Sequence, residues 1–280
     1  MHEADADKYW EYLGKTDPYW AVVTNERFQQ KNIDDEAREQ FFLTGERYVG
    51  WVFETIREYL DRDFAPKRSL DFGCGVGRLV LPLARRSDYV IGVDVAESMI
   101  REARANVDAQ QLSNVSLIRD AGDFSDVVGK FDLINSYIVL QHIPCERGQQ
   151  LVVKLLDRLN AGGVGVLHLT YSKEVYKERI FSVWSASAPG SSVEITEGFR
   201  AVRSWLRIYP RDFFRKLFRR GGTVMQMNPY TLNPIFHCLQ SSGIRRMHLE
   251  FTDHGGEYGV LLFFQKSSES EYGAPIARVR

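Results

Sequence analysis

The pattern that most restricts the fold of this chain lies at residues 70–77, where an apolar stretch runs into three glycines in the sequence LDFGCGVG. A second apolar run, YVIGVD, ends at Asp94, seventeen residues after Gly77. Parallel α/β sheets bind adenosine-containing ligands where one strand leads through a glycine turn into a helix and the next strand ends in a carboxylate. The sequence therefore predicts an α/β fold with a nucleoside-binding turn.

The positions of the glycines and acids separate two classes of ligand. A dinucleotide-binding turn has the spacing GxGxxG, but after Gly73 and Gly75 the third position is occupied by Arg78. Asp71 precedes the turn, and its carboxylate repels a pyrophosphate but suits the ammonium group of S-adenosylmethionine. Asp94 is placed to accept hydrogen bonds from a ribose diol. The pattern favours S-adenosylmethionine over a dinucleotide.

Four segments in the right order resemble class I S-adenosylmethionine-dependent methyltransferases over about residues 68–170. They are LDFGCGVGRL, LIRDAGDF, FDLINSYIVLQHIP and LNAGGVGVLHLTY, with Ala161 where the family commonly has proline. The resemblance implies S-adenosyl-L-methionine as cofactor and S-adenosyl-L-homocysteine as product. It also implies a set of cofactor-binding residues: Asp71, Gly73, Cys74, Gly75, Asp94, Val95, Met99, Asp120, Ala121 and Ser136.

Apolar runs and helical spacing predict the order of elements. We expect a helix over about 35–60, and then strands at 69–72, 89–93, 115–118, 131–136 and 163–170 with helices at 77–86, 97–109 and 147–160 between them. Because strands and helices alternate, the sheet is expected to be doubly wound and mostly parallel. The segment DHGGEYG separates two apolar runs near the C-terminus and predicts an antiparallel hairpin. Together these elements give a seven-stranded, Rossmann-like methyltransferase fold.

The same patterns divide the chain into five parts. We expect a helical N-terminal cap over 1–66, a cofactor-binding core over 67–171, and an acceptor-side insertion over 172–228. A helix and hairpin over 229–267 complete the sheet, and 268–280 form a tail. Asn228 and Pro229 are expected to begin that helix as its N-cap and first residue.

Composition indicates the cellular compartment in which the protein is expected to work. The formal net charge is −1, and the three cysteines, Cys74, Cys145 and Cys238, are widely separated without a CxxC pair. This indicates a reduced, cytoplasmic protein without structural zinc. No run approaches the roughly 18 apolar residues of a membrane span, so we expect no span. The sequence leaves the oligomeric state open.

Residues near the ends of the last strands are candidates for the general base and for contacts with the methyl acceptor. His142, just after the fourth strand, is the main candidate for a general base, and a helix-start histidine packed on the sheet is the alternative. Tyr137 and Tyr171 are expected to orient the acceptor. His254 and Asp253, in the hairpin turn, are further candidates to contact it, or are simply solvated. No acidic cluster suited to Mg²⁺ follows the fourth strand, so we expect no metal.

The insertion is where we expect acceptor choice to be made. Residues 195–220 contain eight basic and two acidic residues, including Arg203 and Arg207. This charge favours an anionic acceptor, and the alternative is a solvated helical face. Nucleic acid is disfavoured because NSYI stands where DNA amino-methyltransferases have an Asn-Pro-Pro-Tyr type motif.

The N-terminal segment is rich in aromatic residues: Trp10, Tyr12, Tyr19 and Trp20. These residues either close over the donor or pack on the outer face of the sheet. The expected function is methylation of a hydroxyl or carboxyl group on a small molecule or glycan. The alternatives are N-methylation and a non-catalytic S-adenosylmethionine-binding subunit.

Overall fold

The computed structural model describes residues 3–174 and 227–267, and within these ranges seven strands form one sheet. The strands are β1 (Arg68–Phe72), β2 (Tyr89–Asp94), β3 (Val115–Arg119), β4 (Phe131–Ser136), β5 (Leu159–Lys173), β6 (Ile244–Asp253) and β7 (Glu257–Lys266). Their order across the sheet is β3-β2-β1-β4-β5-β7-β6. β1 to β5 run parallel, and β7 is antiparallel to both of its neighbours. The predicted fold class is confirmed.

Helices cover the sheet and its carboxyl edge. They are α1 (Glu3–Thr16), α2 (Pro18–Val22), α3 (Asp35–Tyr59), α4 (Val80–Ala84), α5 (Glu97–Ala109), α6 (Cys145–Asp157) and α7 (Leu232–Ser241). The long helix α3 begins where the side chain of Asp34 accepts a hydrogen bond from the backbone N–H of Ala37 at 2.8 Å. Its apolar face, which includes Val49, Val52 and Ile56, packs beneath the sheet.

Alternation along β1 sends successive side chains to opposite faces of the sheet. Leu70 and Phe72 join the core that contains α6 and α7. Asp71 lies on the same strand between them, and its register partner on β4 is Asn135. The opposite core is formed by α3, α4 and the buried valines of β5. The sheet therefore separates two apolar layers.

The C-terminal hairpin predicted from sequence is confirmed. β6 and β7 pair from Ile244 with Lys266 to Asp253 with Tyr258. β7 lies between β5 and β6, so its residues Gly259 to Phe264 are buried. Because both faces and both edges of this strand are covered, its sequence is a continuous apolar run and does not alternate with polar residues.

Several element boundaries differ from the sequence predictions: the strand predicted at 163–170 is Leu159–Lys173, and the helix predicted at 147–160 is Cys145–Asp157. The helix predicted at 77–86 is only Val80–Ala84, because Gly77, at φ +85°, still belongs to the turn. The prediction that Asn228 caps the last helix is wrong, since that helix begins at Leu232 with Thr231 as its N-cap. Asn228 is used elsewhere, because its backbone and side-chain N–H groups donate to the carbonyl of Gln141.

Candidate functional site

A cavity of about 560 Å³ opens at the carboxyl edge of the sheet, where β1 and β4 lie side by side. The chain leaves these two neighbouring strands toward opposite faces of the sheet, and open parallel sheets bind ligands at such switch points. The cavity is lined by eleven of the residues predicted as site residues: Gly73, Cys74, Gly75, Asp94, Val95, Met99, Asp120, Ala121, Tyr137, His142 and His254.

The glycine turn forms the floor of this cavity. The backbone N–H groups of Gly73 and Cys74 both donate to the carbonyl of Val93, at 2.8 and 2.9 Å, which ties the turn to β2. Gly73 has φ +78°, and a Cβ atom there would lie 2.3 Å from Cγ2 of Val139. Gly75 has φ +52°, and its Cβ would lie 2.6 Å from Cγ2 of Val22. Only glycine fits both the conformation and the space at these two positions.

Asp94 is held at the cavity wall by backbone donors. Its Oδ2 accepts from the N–H of Gly75 and its Oδ1 accepts from the N–H of Ala96, each at 2.9 Å. Burial raises the pKa of Asp94, and these backbone hydrogen bonds oppose that rise. The carboxylate therefore links the turn after β1 to the turn after β2.

Asp71 lies beneath the glycine turn and does not line the cavity. It is 2% exposed, and its Oδ1 accepts from Nδ2 of Asn135 at 2.8 Å. Its Oδ2 has no hydrogen-bond partner among the described residues. Burial raises the pKa of Asp71 to about 6, although the hydrogen bond from Asn135 and the charge of Arg78 oppose this. This acid carries an unsatisfied oxygen beneath the glycine turn.

Asp120 and Ala121 form another part of the wall, after β3. The Oδ1 atom of Asp120 accepts from the backbone N–H groups of Gly122 and Phe124. The carbonyl of Ala121 accepts from Nη2 of Arg147 at 2.6 Å. Arg147 also forms a two-point ion pair with Asp7 of α1, at 3.0 and 3.3 Å. The N-terminal helix is thus fastened over this end of the cavity.

His142, the candidate base, and His254, a candidate acceptor contact, both line the cavity. His142 is buried, its ring meets the ring of Trp10 edge to face at 5.0 Å, and its Nε2 lies 3.3 Å from Nε2 of Gln141. His254 is more exposed and lies at the rim, with its ring 6.2 Å from that of Tyr137. Partial burial lowers the pKa of His254, and the charge of Asp253 opposes this.

His168 is a buried histidine behind this rim that the sequence patterns did not single out. Its Nε2 lies 2.8 Å from Oγ1 of Thr252, and its Nδ1 has no partner among the described residues. Burial lowers its pKa to about 3, with the charges of His254 and His142 adding to the effect. The imidazole is therefore neutral and forms part of the wall behind Tyr137 and His254.

Other predicted site residues lie elsewhere. Ser136 is fully buried, Tyr171 packs toward Phe251 with ring centroids 6.4 Å apart, and Asp253 is exposed, its Oδ1 accepting from the N–H of Gly256. None of the three lines the cavity. Arg203 and Arg207 lie outside the described residues.

Of the four N-terminal aromatic residues only Trp10 lies over the cavity, and Tyr12 is 56% exposed. Tyr19 lies in the apolar core of the cap, and its hydroxyl donates to Oε1 of Glu102 at 2.7 Å. Other lining residues that were missed come from the cap and the turns: Val22, Val23, Thr24, Thr44, Arg78, Val139, Gln141 and Arg147. Only Arg78 had a signal in the sequence, as the charged residue in place of a third glycine.

The described residues offer neither a metal site nor a membrane-spanning helix. Across residues 3–174 and 227–267, no three His, Cys, Asp or Glu side chains are grouped so that they could hold a metal ion. In the same part of the chain, no helix has both the length and the apolar character needed to cross a bilayer.

Comparison with known proteins gives one sequence family and two groups of relatives. Residues 70–163 match a family model described as a methyltransferase domain. Over 122 residues, or 41% of the chain, the sequence is 30% identical to the carboxy-S-adenosyl-L-methionine synthases of Shewanella baltica (strain OS155) and Shewanella putrefaciens (strain CN-32). The chain spans about half the length of these curated relatives.

Similar solved structures share the fold along nearly the whole chain. Magnesium protoporphyrin IX methyltransferase from Synechocystis PCC 6803, with bound S-adenosylhomocysteine, has a TM-score of 0.59 at 17% identity and covers 95% of this chain and 100% of its own. The N-methyltransferase NodS from Bradyrhizobium japonicum WM9 has a TM-score of 0.52 at 15% identity, with coverages of 94% and 98%. At these identities the likeness shows the fold.

Proposed function

We propose that this chain, in which residues 70–163 match a methyltransferase domain, is a class I S-adenosylmethionine-dependent methyltransferase that binds S-adenosylmethionine and methylates an acceptor in the same cavity. The observation that carries this proposal is the glycine turn at the switch point of the sheet. Its backbone forms the cavity floor at Gly73 and Gly75, and Asp94 is locked beside it by two backbone donors.

The residues present fit this donor. Gly73 and Gly75 line the cavity with backbone atoms alone, which allows a ligand to approach the turn closely. Asp94 would hold the ribose, and Asp120 with Ala121 would hold the adenine. Asp71 is buried beneath the cavity floor and outside the cavity lining, so its carboxylate would act on a bound cation through the turn and not by direct contact. When bound, S-adenosylmethionine supplies a methyl group on a positively charged sulfur, which is already a good leaving group.

The protein's own contribution is mainly to position the acceptor and exclude water. Trp10 and the ion pair between Arg147 and Asp7 keep α1 over the cavity. A hydroxyl acceptor must also lose a proton, and a neutral imidazole within reach can accept it. His142 and His254 are the candidates, and the lowered pKa of His254 favours its neutral form. We therefore propose O-methylation of a small molecule or glycan. An anionic acceptor, with Arg203 and Arg207 as contacts, rests on the sequence pattern alone.

The test for donor binding is isothermal titration calorimetry with S-adenosylmethionine, S-adenosylhomocysteine and NAD⁺. We expect both adenosyl compounds to bind and NAD⁺ not to bind. Asp94→Ala removes a charge-assisted contact and should weaken S-adenosylhomocysteine binding by roughly tenfold to a hundredfold. The exposed Asp88→Ala variant is the matched control and should bind as the wild type does. Binding of NAD⁺ alone would refute the proposal.

The test for transfer is a screen of metabolite extracts with the purified protein and S-adenosylmethionine that carries a labelled methyl group. An enzyme labels a metabolite, whereas a non-catalytic binding subunit labels none. Once an acceptor is identified, His142→Ala and His254→Ala compared under chemistry-limited conditions show which histidine acts as the base. The base variant should lose about 10² to 10⁴ in turnover while its donor affinity is retained.

A second candidate function follows from the curated relatives, which are carboxy-S-adenosyl-L-methionine synthases. In that case the nucleoside itself would be the group modified. Mass spectrometry of the nucleosides in the same reactions separates the two functions. Methyl transfer yields S-adenosylhomocysteine, whereas the second activity yields a carboxylated S-adenosylmethionine.

A further inference from the structure

Strand β6 forms one edge of the sheet and carries exposed apolar side chains. Among the described residues it pairs only with β7. Phe251 is 75% exposed and Leu249 is 37% exposed. On the other face of the strand, Tyr59 of α3 stacks on His248 with ring centroids 3.8 Å apart, and this tyrosine is itself 46% exposed. Exposed apolar surface along an open edge is typical of a strand that receives a partner.

The middle of β6 lacks the usual features that keep an edge strand unpaired. Folded proteins protect such strands with proline, lysine, bulges or very short lengths. β6 is ten residues long and contains no proline or lysine. Its one irregularity in register with β7 lies between Ile244 and Arg246, and the pairing from Arg246 to Asp253 is regular. The edge is therefore open over most of the strand.

The backbone of β6 has hydrogen-bonding groups that point away from β7. In an antiparallel pair of strands, residues that exchange hydrogen bonds alternate with residues that do not. The N–H of His254 donates to the carbonyl of Glu257 at 3.1 Å. The next pair along the ladder, Asp253 with Tyr258, is therefore one that does not exchange hydrogen bonds. By this alternation, four residues present their N–H and C=O groups to the open edge: Met247, Leu249, Phe251 and Asp253.

The charges of β6 make the strand complementary to a reversed copy of itself. Arg245 and Arg246 at its start and Asp253 at its end are all exposed. None of the three forms an ion pair with another residue that the structure describes. When two copies lie antiparallel with Leu249 opposite Leu249, Arg245 of each copy lies opposite Asp253 of the other. Opposite charges at facing positions stabilise strand pairing, and like charges destabilise it.

We propose that two copies of this chain associate through β6, with the two strands antiparallel about a twofold axis at Leu249. In this register every residue whose backbone groups face the open edge lies opposite another such residue, and Met247 lies opposite Phe251. A slip of one residue would oppose backbone groups that β7 already uses. The contact is isologous, so it closes at two copies. Such a dimer does not require methyl transfer and goes beyond the proposed function.

Other roles for this edge predict different behaviour. Charged side chains that only keep β6 unpaired would leave the protein monomeric. A different protein that adds a strand to the edge would leave the purified chain monomeric as well. A dimer held by another surface would not respond to changes in β6. The distinguishing quantity is therefore the dissociation constant of the dimer, measured for the wild type and for variants of this strand.

Sedimentation velocity of the full chain over a series of concentrations measures this constant. We expect the wild type to form a species of twice the 32.2 kDa chain mass. Leu249→Lys places two ammonium groups opposite each other at the twofold axis and should raise the dissociation constant by about tenfold or more. Val153→Lys is the matched control, because Val153 is an apolar residue with 40% exposure that lies on α6. This control should dimerise as the wild type does.

An exchange of charges tests the register. Arg245→Glu and Asp253→Arg each place like charges at facing positions, so each should raise the dissociation constant by a few-fold or more. The double variant restores opposite charges at both symmetric positions and should dimerise nearly as well as the wild type. Hydrogen exchange in residues 244–253 should slow as the protein concentration rises, because the outward N–H groups become hydrogen-bonded.

Three results would overturn the proposed dimer. One is a wild type that stays monomeric at every concentration, and if it still binds S-adenosylhomocysteine the proposed function stands. Another is a dimer that folded Leu249→Lys leaves unchanged, because a different surface then holds the copies together. The third is a double charge variant that dimerises no better than the single variants. The charge variants change exposed side chains, so they decide the question even if Leu249→Lys does not fold.

Discussion

At the scale of single residues, the protonation of the acids at the site depends more on their burial and hydrogen-bond donors than on their position in a motif. Asp94 and Asp120 both accept hydrogen bonds from backbone N–H groups, and at Asp94 these oppose the rise in pKa that burial causes. Asp71 receives only the side-chain amide of Asn135 and is raised in pKa to about 6. The three acids lie at or near the carboxyl ends of three neighbouring strands, but their hydrogen-bond donors differ.

The raised pKa of Asp71 predicts how stability depends on pH. Between its ordinary pKa of 3.8 and the folded value of about 6, the folded state holds a proton that the unfolded state has released. Unfolding free energy therefore falls as pH rises through this window. Asp71→Asn removes the charge and should be more stable than the wild type by about 1–3 kcal/mol at neutral pH. Its advantage should vanish below about pH 4.

Urea unfolding at a series of pH values measures this difference. The exposed Asp88→Asn variant is the control and should show no comparable pH-dependent gain. A destabilised Asp71→Asn at neutral pH would show that the fold, rather than a ligand, requires this charge. We also expect the variant to bind S-adenosylhomocysteine more weakly, so that stability and binding change in opposite directions.

Gly73 gives a second prediction at this scale. Gly73→Ala places a Cβ 2.3 Å from Val139 at a positive φ, whereas Gly162→Ala has a similar φ of +76° with no atom within 4 Å. Both variants carry the conformational penalty, but only the first adds a clash. Gly73→Ala should therefore lose about 1–3 kcal/mol more than Gly162→Ala in urea unfolding. Equal losses would show that the turn can move away from Val139.

At the scale of elements, the N-terminal helix α1 is attached to the core by few strong contacts. Arg147 of α6 bridges Asp7 and the carbonyl of Ala121. On the other side of α1, Glu11 accepts from the backbone N–H of Ser98 at the start of α5. Two attachment points at opposite sides of the cavity make α1 a cover whose local stability is lower than that of the sheet.

Removing one attachment should loosen α1 without unfolding the core. A partly exposed ion pair is worth about 0–1 kcal/mol, so Arg147→Ala should leave global stability nearly unchanged. Hydrogen exchange followed by mass spectrometry should be faster in residues 3–16, and S-adenosylhomocysteine should bind a few-fold more weakly. Arg85→Ala, which removes the surface pair with Glu46, is the control. Unchanged exchange in α1 would mean that Trp10 and the other apolar contacts are sufficient.

At the scale of the whole molecule, the cavity joins parts of the chain that are far apart in sequence. Its lining runs from Ala6 in α1 to His254 in the hairpin turn. A ligand in this cavity therefore contacts the cap, the glycine turn and the C-terminal hairpin together. Binding to the folded state alone stabilises that state.

Saturating S-adenosylhomocysteine should raise the melting temperature, because a ligand at a hundredfold excess over its Kd adds about 2.7 kcal/mol. Differential scanning calorimetry measures this shift, and NAD⁺ at the same concentration is the comparison. Hydrogen exchange should slow both in α1 and in the turn between β6 and β7. Protection confined to the glycine turn would place the ligand in only part of the cavity.

The sequence alone determined the order of the elements, the parallel sheet and the glycine turn, because these follow from local periodicity and from residues adjacent in the chain. It could not place Asn228, which long-range hydrogen bonds to Gln141 and Ile143 hold outside the last helix. Only the tertiary structure decided that Asp71 lies beneath the turn, and that Arg78, Trp10 and Arg147 reach the cavity. Burial and the meeting of distant side chains depend on how helices cross the sheet, and no local pattern records that.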